Sequence, residues 1–272
     1  MPIIKKFDDI EFKFDDDGIK FKNLITKEDL VDSRVTLDYF ELSAQKNLII
    51  ENSENDVMWI QILSGLINIE DTIIDHNKII FIKGNKNIDC GAIEASNLVI
   101  TKILNYKVHE KNPTDNFEKT INIINWGNEP ILKSQHDDRK RVYLLSETLA
   151  DTDSVKGELI IYPKDTSCPE HYHVGAEHYQ FLTEGNVIAV LDGKEYELSK
   201  YDILYNFENE NHWFYTKNSI CEFVEFFIPG EAKTIWTQTT NVCTWSPIGL
   251  DINGEKPSRH IEKHVHGEGK NI

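Results

Sequence analysis

The chain has 272 residues, enough for one large domain or two modest ones, each able to bury a core. Its 40% hydrophobic and 28% charged residues lie within the globular range and exclude a disordered chain. The 46 acidic against 29 basic residues leave a formal net charge of −17, which excludes nucleic acid as the main partner, because a phosphate backbone demands clustered Lys and Arg.

The segment from Met1 to Asp9 carries no apolar stretch of the signal-peptide kind, and no run of about 18 apolar residues occurs anywhere. A cytoplasmic protein without membrane contact is therefore expected. Asp8, Asp9, Asp15, Asp16 and Asp17 lack calcium-loop spacing and read as a solvated surface. Short runs of strand character then recur between turn residues. The first half holds Asn47 to Ile50, Val57 to Leu63, Lys78 to Ile82 and Leu98 to Leu104. The second holds Val142 to Leu145, Leu159 to Tyr162, Tyr179 to Leu182, Val187 to Leu191, Glu195 to Leu198, Ile203 to Tyr205, Trp213 to Tyr215 and Glu222 to Ile228. Such punctuation, with little 3.6-residue periodicity, predicts an all-β sandwich or barrel.

Between the two groups, Lys107 to Lys119 contains Asn112-Pro113-Thr114-Asp115 and few large apolar residues, the composition of a connection. The halves echo one another, since Trp59-Ile-Gln-Ile-Leu-Ser-Gly65 and Tyr179-Gln-Phe-Leu-Thr-Glu-Gly185 both run into alternating strands. Asp192-Gly193 predicts a two-residue hairpin turn, because both residues tolerate the positive φ of a type I′ turn. Beyond Glu231, Trp236, Trp245 and Pro247 suggest a segment packed over the barrel, and Ser258 to Ile272 a polar tail. That tail, with His264 and His266, reads as solvated or packed on a partner. Cys90, Cys168, Cys221 and Cys243 form no Cys-x-x-Cys pair and read as buried or idle thiols.

Ten histidines occur in the chain, and His171-Tyr-His173-Val-Gly-Ala-Glu177-His178 places three of them within eight residues. On a strand, positions i and i+2 share a face, so His171 and His173 can aim two imidazoles at one point. Gly175 permits a bend, after which Glu177 or His178 can return as a third donor, and His212 follows before another strand. Such nitrogen and oxygen donors suit one divalent transition metal among Fe, Mn, Zn, Ni, Co and Cu.

These residues resemble the cupins, whose first motif reads about G-x5-H-x-H-x3-4-E-x6-G and whose second reads G-x5-P-x-G-x2-H-x3-N. His171 and His173 match the paired histidines, Gly185 the closing glycine and His212 the second-motif histidine. Counting back from Gly185 puts the glutamate position at His178, while counting forward from His173 selects Glu177; both stay open, with His178 favoured. The opening glycine is Asp165 here, and the second motif's Gly, Pro, Gly and Asn become Tyr201, Phe207, Asn209 and Thr216. The match covers about Val142 to Ile228, and His76, His109 and His136 stand alone.

The resemblance implies a double-stranded β-helix, the cupin jelly-roll barrel, in two tandem copies. Residues 1–118 would form a cupin-like domain without a metal site, and residues 119–272 a metal-binding domain with a C-terminal extension. His171, His173, His178 and His212 would hold the metal. Glu177 and Tyr179 are the catalytic candidates, Tyr179 because it resembles the catalytic tyrosine of cupin-type dimethylsulfoniopropionate lyases. Tyr172, Trp213 and Tyr215 are candidate pocket lining beside it. A neutral, histidine-rich set favours a small anionic substrate, such as an oxygenated organic acid or sugar acid, and oxidative cleavage by a dioxygenase is the leading expectation. Lyase or isomerase chemistry is the second, and a non-catalytic small-molecule or carbohydrate-binding module the third. By analogy with cupins, a homodimer is expected.

Overall fold

The computed structural model describes residues 2–29, 34–110, 120–238, 240–269 and 272. They are almost wholly β, with Glu147–Ala150 as the one α-helix among the described residues. The chain divides into two compact units, Asp8–Trp126 on one hand and Met1–Phe7 with Gly127–Ile272 on the other.

The Asp8–Trp126 unit is built from two antiparallel sheets. One runs in the order Ile121–Asn125, Lys78–Lys83, Val57–Ser64, Ser96–Ile103, Val35–Leu42, Lys20–Ile25 and Lys13–Phe14. The other runs Asn47–Asn52, Lys86–Ala92, Ile67–Ile69 and Thr72–Ile74. Period-2 alternation assigns the faces: Leu48, Ile50 and Asn52 are buried while Asn47, Ile49 and Glu51 are exposed. The shared interior is aliphatic, with Met58, Ile60, Ile62, Ile80, Ile82 and Ile88 in one cluster. Branched side chains of this kind pack well on a pleated surface.

The division differs from the 118/119 break expected from composition. Ile121–Asn125 pairs along its length with Lys78–Lys83, which carries this unit to Trp126. Residues 111–119 of the expected connection, Asn112-Pro113-Thr114-Asp115 included, lie outside the described residues. At the other end, Ile3–Lys5 pairs with Ile203–Asn206. Asp202 fixes that pairing, accepting from Lys6 Nζ at 2.7 Å and from the Phe7 N–H at 2.9 Å.

In the second unit one hydrogen-bonded path runs Lys233–Trp236, His171–Val174, His212–Tyr215, Glu177–Leu191, Cys221–Ile228, Lys156–Tyr162, Lys140–Leu145, Leu132–Ser134, Thr244–Pro247 and His264–Val265. The expected runs Tyr179 to Leu182 and Val187 to Leu191 are a single 15-residue strand, Glu177–Leu191. Its first part pairs with Cys221–Ile228 and Ile203–Asn206, and from Asn186 onward it pairs with Lys194–Ser199. The corner is Gly185, at φ +69, where an added Cβ would lie 2.0 Å from the Ile220 carbonyl oxygen. A register shift between Leu182 and Glu184 leads into it, the bulge by which a strand changes sheets.

Asp192 at φ +46 and Gly193 at φ +76 close the expected hairpin between Leu191 and Lys194. The three positions where cupin glycines are replaced keep a glycine-like backbone: Asp165, Tyr201 and Asn209 have φ of +57, +72 and +65. The sequence departs from the motif in side chain, not in turn geometry. The C-terminal segment departs from its reading as a solvated tail. Thr244–Pro247 and His264–Val265 join the sheet, and Trp245, Ile261 and His266 are buried. All four cysteines are buried and free, as expected of idle thiols.

Candidate metal centre

Strand parity builds the site. On His171–Val174, His171 and His173 are buried and point inward, while Tyr172 faces the other way and is half-buried. His212 lies directly across from His171 in the antiparallel pairing, so its ring joins theirs. The ligand nitrogens of His171, His173 and His212 lie within 4.8 Å of one another. No other cluster of three such donors occurs among the described residues.

Each of these rings is held from behind. His171 Nδ1 donates to the Pro169 carbonyl at 2.8 Å, and His212 Nδ1 to the Glu210 carbonyl at 2.8 Å. His173 Nδ1 pairs with the Thr234 hydroxyl at 3.2 Å. A carbonyl can only accept, so the hydrogen sits on Nδ1 and the Nε2 lone pair is left facing inward. The Nε2 atoms of His173 and His212 are buried with no hydrogen-bond partner among the described residues. An orphaned buried acceptor costs roughly 1–3 kcal/mol, a cost a cation at the shared point removes. The three residues therefore fit a divalent metal.

Burial holds all these rings neutral, the state a ligand needs. His171 and His173 are pushed well below the usual imidazole range by burial, then by the neighbouring rings of His212 and His178 respectively. His212 is pushed down to about 4 by burial.

His178 begins the strand that returns beside them. Its ring lies 4.8 Å from that of His173 and 4.7 Å from that of His212, stacked on Phe227 at 5.0 Å. It is not among the three converging nitrogens: Asn206 Nδ2 donates to its Nε2 at 3.3 Å, and its Nδ1 is buried without a partner among the described residues. Beyond it lies a carboxyl that sequence reading missed. Glu225 Oε1 is 3.6 Å from His178 Nε2 and accepts from Gln180 Nε2 at 2.5 Å. Burial, then the facing Glu158, raises the Glu225 carboxyl far above its usual range, so it stays protonated near neutrality.

Glu177 and Tyr179 occupy the opposite parity of the same strand from His178. Glu177 accepts a 2.5 Å hydrogen bond from the Tyr205 hydroxyl, and Tyr179 stacks on Phe226 with centroids 5.4 Å apart. Trp213 and Tyr215 likewise stack on each other, 5.3 Å apart, on the face away from His212 and Phe214. Strand parity thus places Glu177 and Tyr179 on the face opposite His178.

The space beside the histidines is small. A cavity of about 20 Å³, bordered by His171, Arg141, Glu225, Trp236 and His266, has room for about one water. Among the described residues no helix is long and apolar enough to cross a membrane.

No family model matches this chain, and no curated protein matches it. Solved structures do. A form of oxalate decarboxylase from work on its substrate binding mode and a reaction-specificity switch is 11% identical, with a TM-score of 0.67, over 86% of this chain and 79% of that one. Bacillus subtilis oxalate decarboxylase from work on its Mn(II) centres gives 11% identity and a TM-score of 0.66 over the same shares. The Bacillus subtilis enzyme at pH 4.6 gives 12% and 0.65, over 86% and 78%. At such identity the likeness establishes the fold, which is the cupin jelly roll.

Proposed function

We propose that the second unit is a divalent-metal-dependent cupin enzyme acting on a small oxygenated carboxylic acid, with oxidative cleavage as the leading reaction. One observation carries this reading: three buried imidazoles converge on one point, and in His171 and His212 an Nδ1 bonded to a carbonyl leaves the Nε2 lone pair free for it. His178, whose buried Nδ1 has no partner among the described residues, is the fourth donor in this proposal. A bound metal supplies Lewis acidity and, if redox-active, a place for dioxygen. The chain's own residues orient the ligand set, exclude water through Phe227 and Trp236, and hold a proton at Glu225.

Glu225 favours a second reading, non-oxidative decarboxylation, because a protonated buried carboxyl beside the site can return a proton to a carbanion. That the similar solved structures are oxalate decarboxylases supports testing oxalate first. Purified untagged protein should carry about one transition metal per chain, and His171→Ala/His173→Ala should lose it. Oxygen uptake with oxalate and other small acids supports dioxygenase chemistry; carbon dioxide release without oxygen uptake supports decarboxylation. A metal-free parent that takes none up on titration moves the weight to a binding module.

The finer points go with this proposal. The Asp8–Trp126 unit is read as a second barrel without a metal site: by the echo of Trp59 with Tyr179, Met58 in its aliphatic cluster stands where His178 stands in the other. Gly65 repeats the corner at φ +87, with an added Cβ 2.3 Å from Ser96 Oγ. A homodimer and a cytoplasmic setting complete the reading, checked by light scattering and cell fractionation.

A further inference from the structure

A fifth histidine reaches the site from the far end of the chain. His266 follows the His264–Val265 strand, and its backbone N–H donates to the Cys243 carbonyl at 3.0 Å. Gly267, at φ +86, then turns the chain against Lys233–Trp236, the strand paired with that of His173: an added Cβ would lie 2.9 Å from Thr234 Oγ1. The His266 ring is thereby buried at 6% exposure, with its centroid 5.5 Å from His173 and 6.1 Å from His171.

Its hydrogen-bond polarity is the reverse of theirs. Arg141 Nη2 bonds His266 Nδ1. A guanidinium only donates, so this Nδ1 accepts and the ring hydrogen sits on Nε2. Arg141 cannot swing away to release it, because it also donates to the Tyr143 hydroxyl at 3.0 Å and lies 3.1 Å from Glu158. Where His171 and His212 present a lone pair, His266 presents an N–H. The ring borders the same small cavity as His171, Trp236 and Glu225.

We propose that His266 is a ligand-binding residue of this site, donating through Nε2–H to the one carboxylate oxygen of a small ligand that enters the water-sized cavity beside the histidines. The inference rests on the metal-dependent reading above and adds to it a division of labour: His171, His173 and His212 take the cation, and His266, locked by Arg141, takes the anion. An imidazole N–H donating to a carboxylate oxygen is a charge-assisted hydrogen bond, among the stronger kinds a site can offer.

The test uses the full-length chain. Long-range proton–nitrogen NMR of the metal-free protein reads each tautomer, with Nε2–H expected at His266 and Nδ1–H at His171 and His212. Cobalt(II)-loaded parent, His266→Ala and His266→Gln are then titrated with oxalate and followed by visible absorption. His266→Ala should keep the parent's cobalt content and bind oxalate about tenfold or more weakly, and His266→Gln, which retains an N–H donor and most of the volume, should recover part of the loss. Loss of cobalt in His266→Gln would make the residue a metal ligand and overturn the proposal. So would undiminished oxalate binding in His266→Ala, an Nδ1–H tautomer at His266, or a parent that binds cobalt but not oxalate. A parent that takes up no cobalt overturns the metal reading itself, an outcome the NMR result keeps distinct.

Discussion

His212 couples the site to acid stability, and the size of that coupling follows from its burial. In the folded, metal-free protein its value lies near 4, against 6.5 for the free side chain. Between those limits the unfolded chain binds the proton and the folded chain does not, so stability is fully present above about pH 6.5 and falls as the pH drops through the window. At about 1.36 kcal/mol per pH unit, His212 alone costs about 2 kcal/mol between pH 7 and pH 5. For a domain of roughly 150–250 residues that is about 4–8 °C in Tm. Glu225 works in the opposite direction, since a carboxyl with a raised value stabilises the fold as the pH falls. The comparison must therefore be between parent and His212→Asn, both stripped of metal, where the Glu225 contribution cancels. His171 and His178, each lowered partly by His212, relax in the variant and widen the difference. Thermal unfolding at pH 7, 6 and 5 should show the parent losing about 4–8 °C more than the variant. Parallel profiles would refute the claim that this ring is held neutral by burial.

Thr234→Val removes the hydroxyl behind His173 while keeping its volume, and should weaken metal affinity about 10-fold, read by competition with a chromophoric chelator, with Tm nearly unchanged. Gly185→Ala forces a left-handed alanine against the Ile220 carbonyl and should cost about 2–5 kcal/mol in denaturant unfolding. Gly193→Ala, at φ +76 but with nothing within 4 Å of the new Cβ, should cost only about 1–2 kcal/mol by the same assay. His178→Ala should lower metal occupancy while Glu177→Gln and Tyr179→Phe leave it at the parent's level; elemental analysis giving equal content in all three would overturn the fourth-ligand assignment.

The barrel was legible where local chemistry fixes it. Asp192-Gly193 names its turn because few residues accept two consecutive positive φ angles, and the runs around it alternate cleanly. Strands such as Val35–Leu42 and Lys20–Ile25 were missed because Asp38, Glu41, Lys20 and Lys22 interrupt them, and only pairing with each other, and of Val35–Leu42 with Ser96–Ile103, gives those residues strand partners. The strand through Gly185 read as two because glycine in a strand is locally indistinguishable from a turn; the Ile220 carbonyl that makes it a corner is 35 positions away.

The site divides in the same way. His171 and His173 were legible because i and i+2 share a face, and that rule, once His178 is placed inside, already sends Glu177 and Tyr179 to the far side. Their proximity in sequence to the histidines made them candidates; parity sets them on the other face of the strand. Glu225 gave no local signal, since an isolated glutamate between Val224 and Phe226 reads as the polar face of a half-buried strand. What distinguishes it is the cross-strand row in which Glu158, Glu225 and Gln180 stand side by side inside the barrel. His266 is the extreme case. Its place depends on a β-bridge to Thr244–Pro247 and on Arg141, 125 positions earlier, so no window along the chain contains both partners. Sequence spacing finds donors that one strand aligns; donors that meet by way of the barrel's curvature need the fold.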